Sequence, residues 1–312
     1  MTVLYAIAAV LGLAALAVFI LKLQAEKRHP PMGDFLDCDG VRLHYILRGP
    51  ADAPVVVLVH GNGALIQEQV ISMVDALSKK YRVLCYDRPG YGYTSRPRLK
   101  FWTPEAQAAL LAQAMQRLDL RDAIILGHSW GTLVAIALAL VSPEKVRGLV
   151  LVSGYFFPTG RLDFWMMAGP AVPWVGDLFR FTLTPFIARL MLWPLVRKLF
   201  SPQPVTDVFK QEFPVGLAMR PISIRASAEE SGLIIPAAKR LSERYAELTQ
   251  PTAVVAGKAD WLVEARQSSR LKGVLPRAVL REVPDAGHMV THTATGAIVD
   301  AVDLIHAWPK AG

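Results

Sequence analysis

The sequence predicts an α/β fold, a mostly parallel sheet flanked by helices, with one membrane-spanning helix ahead of it. Three observations carry that expectation. Short β-branched or apolar runs alternate with helix-compatible stretches, the pattern of chains that wind a parallel sheet. One such run, Ala123-Ile124-Ile125-Leu126, passes through Gly127-His128-Ser129-Trp130-Gly131 into a helical stretch of small apolar residues at 132–140. Before all of these, residues 2–21 carry no charge.

The length of 312 residues suits one large α/β domain with an insertion. Apolar residues make up 53% and charged residues 19%, far from a disordered composition. Cys38 and Cys85 have neither metal-binding nor CxxC spacing, so core packing is expected of them, and no metal or other cofactor is expected. The formal charge of +8 falls on no basic cluster interleaved with aromatics, so a membrane surface is the expected partner rather than nucleic acid. Protein partners are unknown at this stage.

Taken in order, residues 2–21 form a helix of roughly 30 Å, the thickness of the hydrocarbon layer. A cleaved signal peptide would need a basic residue before a shorter apolar run, and Met1-Thr2 offers none. A retained single-pass anchor is expected, followed by a linker at 22–33 that ends around Pro30-Pro31. Lys22, Lys27 and Arg28 would hold that flank, and the domain behind it, on the cytoplasmic side. Residues 35–47 alternate about Asp39-Gly40, a hairpin signal. Val55-Val56-Val57-Leu58-Val59 is a strand buried on both faces, ending in His60-Gly61-Asn62-Gly63. A helix over 64–80 and a strand over 83–86 follow, then Asp87-Arg88-Pro89-Gly90-Tyr91-Gly92.

The pattern Gly-x-Ser-x-Gly at 127–131, between a strand and a helix, is a nucleophile elbow, in which a strained turn exposes the serine hydroxyl. Alone it would also fit a serine capping an ordinary helix. After a strand at 146–152 the rhythm breaks. Residues 155–235 are rich in Pro, Trp, Phe and Arg, show no strand, and are interrupted by proline in every long apolar run. From 155 to 225 eight Arg or Lys face four Asp or Glu, a net of +4. Arg180, Arg189, Arg197 and Lys198 suit a headgroup layer. Beyond it come a helix at 236–248, a strand at 252–257, a helix at 264–274, a strand at 278–283 and a last helix from 289 or 290 towards 308.

These motifs, His60-Gly61-Asn62, Asp87 to Gly92 and the elbow, each after its own strand, resemble the α/β-hydrolase fold family, the lid-bearing serine esterase and lipase type. The resemblance implies a mostly parallel eight-stranded sheet: hydrolase core at 34–154, helical lid at 155–235, core again at 236–312. It implies a triad of Ser129 as nucleophile, His288 as base and Asp260 as the acid that orients it. The N-H groups of Asn62 and Trp130 would form the oxyanion hole. His60 and His128 are expected to pack, His292 to lie at a surface, and the Asp87 to Gly92 turn to be structural. Asp285 and Asp163 are weaker candidates for the acid. The loop at His60 is similar to that of haloalkane dehalogenases, but those enzymes, like epoxide hydrolases of this fold, need a carboxylate where this chain has Ser129. The expected function is a membrane-anchored serine hydrolase of carboxylic esters, monoacylglycerol-like lipid esters above all. A carbon-carbon bond hydrolase or amidase with the same triad, and a non-catalytic membrane interaction protein on the same fold, are the alternatives.

Overall fold

The computed structural model describes residues 1–161 and 163–309; residue 162 of the expected lid and residues 310–312 of the expected core lie outside the described residues. Eight strands form one sheet: β1 (Asp34–Cys38), β2 (Val41–Arg48), β3 (Val55–Val59), β4 (Arg82–Tyr86), β5 (Ala123–His128), β6 (Val146–Val152), β7 (Thr252–Gly257) and β8 (Ala278–Val283). Their order is β1-β2-β4-β3-β5-β6-β7-β8, with β2 antiparallel to both neighbours and the rest parallel. The β1-β2 turn places Asp39 and Gly40 at φ 49° and 72°, the left-handed pair that a two-residue hairpin demands.

The uninterrupted apolar runs follow from burial on both faces. Val57, Val59 and Ile125 point into one cluster, with the helices Pro104–Arg117 and Gly131–Val141. Val56, Leu58, Ile124 and Leu126 point into the other, with the helix Thr295–Ala307. Successive strand residues face opposite ways, so each central strand must be apolar at every position.

Several elements depart from the expected bounds. The N-terminal helix runs Thr2–Arg28, past residue 21, because nothing from Lys22 to Arg28 breaks it before Pro30; residues 22–28 of the expected linker are therefore helical. That tail is also packed: Ala25 is buried, Arg220 Nη1 lies 2.8 Å from Glu26 Oε1, and the Tyr93 hydroxyl donates to the His29 carbonyl at 2.5 Å. The stretch at 64–80 breaks into helix Ile66–Gln69, a π-turn Val70–Val74 and Asp75–Leu77. Helix Pro104–Arg117 has no counterpart in the sequence reading, although Thr103 caps it, accepting from Ala106 N-H at 3.3 Å, and Pro104 opens it. The last helix is interrupted at Ala294.

Between β6 and β7 the described residues form helices and turns and no strand, among them Thr184–Phe200 and Pro221–Ser242. Both helices run through a proline, Pro194 and Pro236, so proline does not divide this insertion as expected. A helical proline removes one backbone hydrogen bond, and packing offsets the cost of about 3 kcal/mol. The boundary expected at 235/236 consequently falls inside a helix. Arg180, expected at the headgroups, is instead buried against Asp177 and the Pro170 carbonyl.

Candidate active site

Ser129 closes β5 with φ 53°, a left-handed conformation that a non-glycine residue holds only when its surroundings enforce it. Its N-H donates to Val152 O at 2.9 Å and its carbonyl accepts from Thr132 N-H at 3.0 Å, fixing both sides of the turn. The motif glycines are required by contact: a Cβ on Gly131 would lie 2.1 Å from Val59 O, and one on Gly127 2.6 Å from Gly131 O. Helix and strand can meet this closely only without side chains.

The structure brings Ser129, His288 and Asp260 together. His288 Nε2 lies 3.0 Å from Ser129 Oγ, and His288 Nδ1 lies 2.8 Å from Asp260 Oδ2. Asp260 sits just past β7, and its Oδ1 accepts the N-H groups of Leu262 and Val263, both at 2.9 Å. Those two donors hold the carboxylate so that its other oxygen faces the imidazole. His288 follows β8 and is pinned through its N-H to Leu199 O at 2.9 Å, at the end of helix Thr184–Phe200. Asp260 and His288 are buried and Ser129 is half-buried. An Nδ1-H held by Asp260 leaves Nε2 unprotonated, able to take the serine proton.

Trp130 follows the serine in the chain, and Asn62 follows Gly61, where a Cβ would be 3.1 Å from Ser129 Cβ. Among the described residues neither the Asn62 nor the Trp130 N-H has a hydrogen-bond acceptor. Two unclaimed donors beside a nucleophile are what a developing oxyanion requires. Asp285 and Asp163 are not part of this constellation; Asp163 pairs with Arg161.

Three histidines surround the triad. His60 Nε2 accepts the Arg88 N-H at 3.0 Å, and its Nδ1-H donates to Gly61 O at 2.8 Å. Burial, and then the Arg88 charge, lower its pKa to about 3, so it is neutral. His128 Nε2-H donates to the His288 carbonyl at 3.1 Å; burial and the neighbouring His288 lower its pKa to about 4. His292, expected at a surface, is buried, with Nε2 2.6 Å from Glu68 Oε1. Helical periodicity could not reveal that partner, which lies 224 residues away in the chain.

The sequence reading gave the Asp87 to Gly92 turn no part in the site. Asp87 matches the structural role expected: its carboxylate accepts from the N-H groups of Ile66 and Tyr93, both at 2.9 Å, and lies 2.6 Å from His44. Arg88 was missed. Its guanidinium is fully buried and donates to the carbonyls of His60 at 2.9 Å and Gly61 at 2.8 Å, and it pairs with Glu230 of helix Pro221–Ser242. A charged residue in a turn carries no local sign that it will be buried.

Comparison with known proteins places this geometry in context. The sequence profile described as alpha/beta hydrolase fold matches residues 54–295. The magnesium-chelatase 30 kDa subunit of Rhodobacter capsulatus is 31% identical over 265 residues, covering 81% of this chain and 88% of that protein. Among solved structures, a membrane phospholipase A, described as a novel bacterial virulence factor, is 19% identical with a TM-score of 0.69 and covers 98% of this chain and 97% of its own. The meta-cleavage product hydrolase from Pseudomonas fluorescens IP01 is 21% identical with a TM-score of 0.71, covering 89% of this chain and 98% of its own.

Proposed function

Since the chain belongs to the alpha/beta hydrolase family, we propose that it is a membrane-anchored serine hydrolase that cleaves carboxylic esters through an acyl-enzyme on Ser129. The carrying observation is the continuous chain from Ser129 Oγ through His288 to Asp260, at 3.0 and 2.8 Å. In this reading Ser129 Oγ attacks the ester carbonyl while His288 Nε2 takes its proton, and Asp260 stabilises the imidazolium. The tetrahedral oxyanion sits on the N-H groups of Asn62 and Trp130, each worth roughly 3 kcal/mol in the barrier. Collapse breaks the ester bond, and the alcohol leaves with the proton from His288. Water, deprotonated by the same nitrogen, then attacks the acyl-enzyme and releases the acid and free Ser129.

Lipid-like acyl esters such as monoacylglycerols are the proposed substrates. Helix Thr2–Arg28 is long and apolar enough to cross a membrane, and we read it as a retained anchor. The helical insertion, read as a lid, exposes Trp174, Leu178, Phe181, Phe186, Ile187, Leu190 and Met191. An apolar surface of this extent supports a lipid-facing role. It is joined to the anchor through Ala25, Gly216 and the Glu26–Arg220 pair, so lid and anchor would meet the bilayer together. The similarity to the membrane phospholipase A supports the architecture: at 98% of this chain it leaves too few residues over to omit the N-terminal helix. The basic residues Lys22, Lys27 and Arg28 support a cytoplasmic catalytic domain.

The test is kcat/KM on p-nitrophenyl esters from acetyl to palmitoyl in mixed micelles, with Ser129→Ala as the blank. A serine-dependent optimum at medium or long chains is expected. Activity confined to acetyl and butyryl esters would overturn the lipid assignment. Turnover that survives in Ser129→Ala would overturn the nucleophile.

A further inference from the structure

We propose that Arg88 and Glu230 are positioning residues that latch the helical insertion to the oxyanion loop, so that the hole is formed only while helix Pro221–Ser242 is seated. The proposal rests on the serine-hydrolase reading above.

Glu230 is fully buried on that helix, a carboxylate bonded to Arg88, Tyr91 and Gln107 and unused by the mechanism. Its two oxygens meet Arg88 Nη1 and Nη2, the second at 3.0 Å, and it also accepts the Tyr91 hydroxyl at 2.7 Å. Gln107 completes the cluster, its amide oxygen accepting from Arg88 Nη1 at 3.0 Å and its amide nitrogen donating to Glu230 Oε1 at 3.1 Å. Each ion in this buried cluster finds its partners on other elements of the fold. A buried ion pair of this kind adds little net stability compared with apolar packing, while loss of one member leaves a bare charge. What it can supply is a fixed arrangement.

The arrangement it fixes is one peptide plane. Arg88 Nη2-H and His60 Nδ1-H both donate to the Gly61 carbonyl, each at 2.8 Å. In a trans peptide the carbonyl and the following N-H point in opposite directions. Holding Gly61 O towards Arg88 therefore turns the Asn62 N-H away from it, leaving that donor unclaimed. The neutral state of His60 belongs to the same device, because its Nε2 must stay free to accept the Arg88 N-H.

A second set of bonds ties the same residue to the same helix. Asn62 Nδ2 donates to Ser227 O at 3.1 Å and to Ser231 Oγ at 3.2 Å. Nearby, Arg96 Nε donates to Glu229 Oε2 at 2.8 Å. Helix Pro221–Ser242 is thus a fixed shelf on the core, and lifting it would remove Glu230 from Arg88 and both acceptors from Asn62. Any opening of the insertion that keeps the hole intact must come from the helices before residue 221.

The experiment compares wild type and Glu230→Gln, full chain in mixed micelles, by kcat and KM on the best ester of the series and by affinity for an aryl trifluoromethyl ketone, which forms a tetrahedral adduct. The expected result is a loss of about tenfold to a hundredfold in kcat, against the 10²–10³ of a fully removed donor. KM should stay within about twofold, and ketone affinity should fall by the factor seen in kcat. Glu230→Asp, which keeps the charge, should recover part of the loss. Equal kcat in wild type and Glu230→Gln, or a change confined to KM, would overturn the latch. Should Glu230→Gln not fold, Arg88→Lys carries the test, since it keeps the charge but lacks the fork that reaches the Gly61 carbonyl and Glu230 together: kcat falls several-fold at constant KM, and an unchanged kcat overturns the proposal. Fluorophosphonate labelling of wild type separates the two levels. A protein that labels at Ser129 but ignores Glu230→Gln refutes only the latch; one that neither labels nor turns over ester refutes the serine-hydrolase reading and the latch with it.

Discussion

Two buried histidines are expected to make the stability of this protein fall steeply on mild acidification. His60 and His128 are held neutral by burial, with pKa values lowered from 6.5 to about 3 and about 4. Their folded values lie below the unfolded one, so between pH 6.5 and those values the unfolded chain binds more protons than the native one. Stability is fully present above pH 6.5 and is lost as pH falls. At pH 5 each group lies about 1.5 units below its unfolded pKa, which amounts to about 2 kcal/mol per histidine, or about 4 kcal/mol for the two. The carboxylates of Glu68 and Asp87 are also held below their ordinary range, despite burial that raises them, by their histidine partners; their loss has the same sign and comes at lower pH. The assay is urea unfolding of the full chain in detergent micelles at pH 8 and pH 5, followed by tryptophan fluorescence. His128→Gln keeps a donor for the His288 carbonyl but does not titrate, so it should remove about half of the difference. A difference below about 1 kcal/mol in wild type, or an unchanged one in His128→Gln, would refute the reasoning.

Two further perturbations address the candidate triad and the N-terminal helix. Asp260→Asn removes the charge that stabilises the imidazolium, and kcat on esters is expected to fall roughly 10⁴-fold with little change in KM; a loss below tenfold in steady-state turnover would assign the acid elsewhere. Gly216 approaches the N-terminal helix so closely that a Cβ there would lie 2.7 Å from Ala25 Cβ. Gly216→Leu should pry the helix tail from the insertion and speed tryptic cleavage after the exposed Lys27 and Arg28, measured by mass spectrometry on liposome-bound protein, and an unchanged cleavage rate would show that the contact does not hold the tail.

The division between what the sequence revealed and what it hid follows the range of the interactions. Ser129, Asp260 and His288 each stand just beyond the end of a strand, and the strand is announced by its own apolar run, so all three are marked locally although they meet from distant parts of the chain. The glycines around Ser129 are marked too, because a close approach of backbones leaves no other choice of residue. The insertion was visible only as a break in the strand rhythm. Its helices continue through Pro194 and Pro236, where tertiary packing outweighs the local cost that made proline look like a boundary. The same override buries Arg180, which by composition belonged at a surface.

Arg88, Glu230 and the pair of His292 with Glu68 lie beyond any local reading for a common reason. A buried charge is tolerated only beside its partner, and these partners are 142 and 224 residues apart. Two joins, one through the first of these pairs and one through a backbone bond, tie the insertion to the site. Arg88 and Glu230 join the insertion to the loop carrying Asn62, while the His288 N-H bond to Leu199 joins the insertion to the loop carrying the imidazole. Gly287 explains how that second join is possible, since a Cβ there would meet Ser201 O at 2.2 Å. The candidate site is therefore divided between core and insertion at both of its working ends: the core supplies the reacting groups, and the insertion holds the backbone that presents them. Whatever moves in the insertion to admit a substrate must leave both attachments in place, which confines the movement to the short helices between residue 163 and residue 180, before helix Thr184–Phe200, and to those just before residue 221.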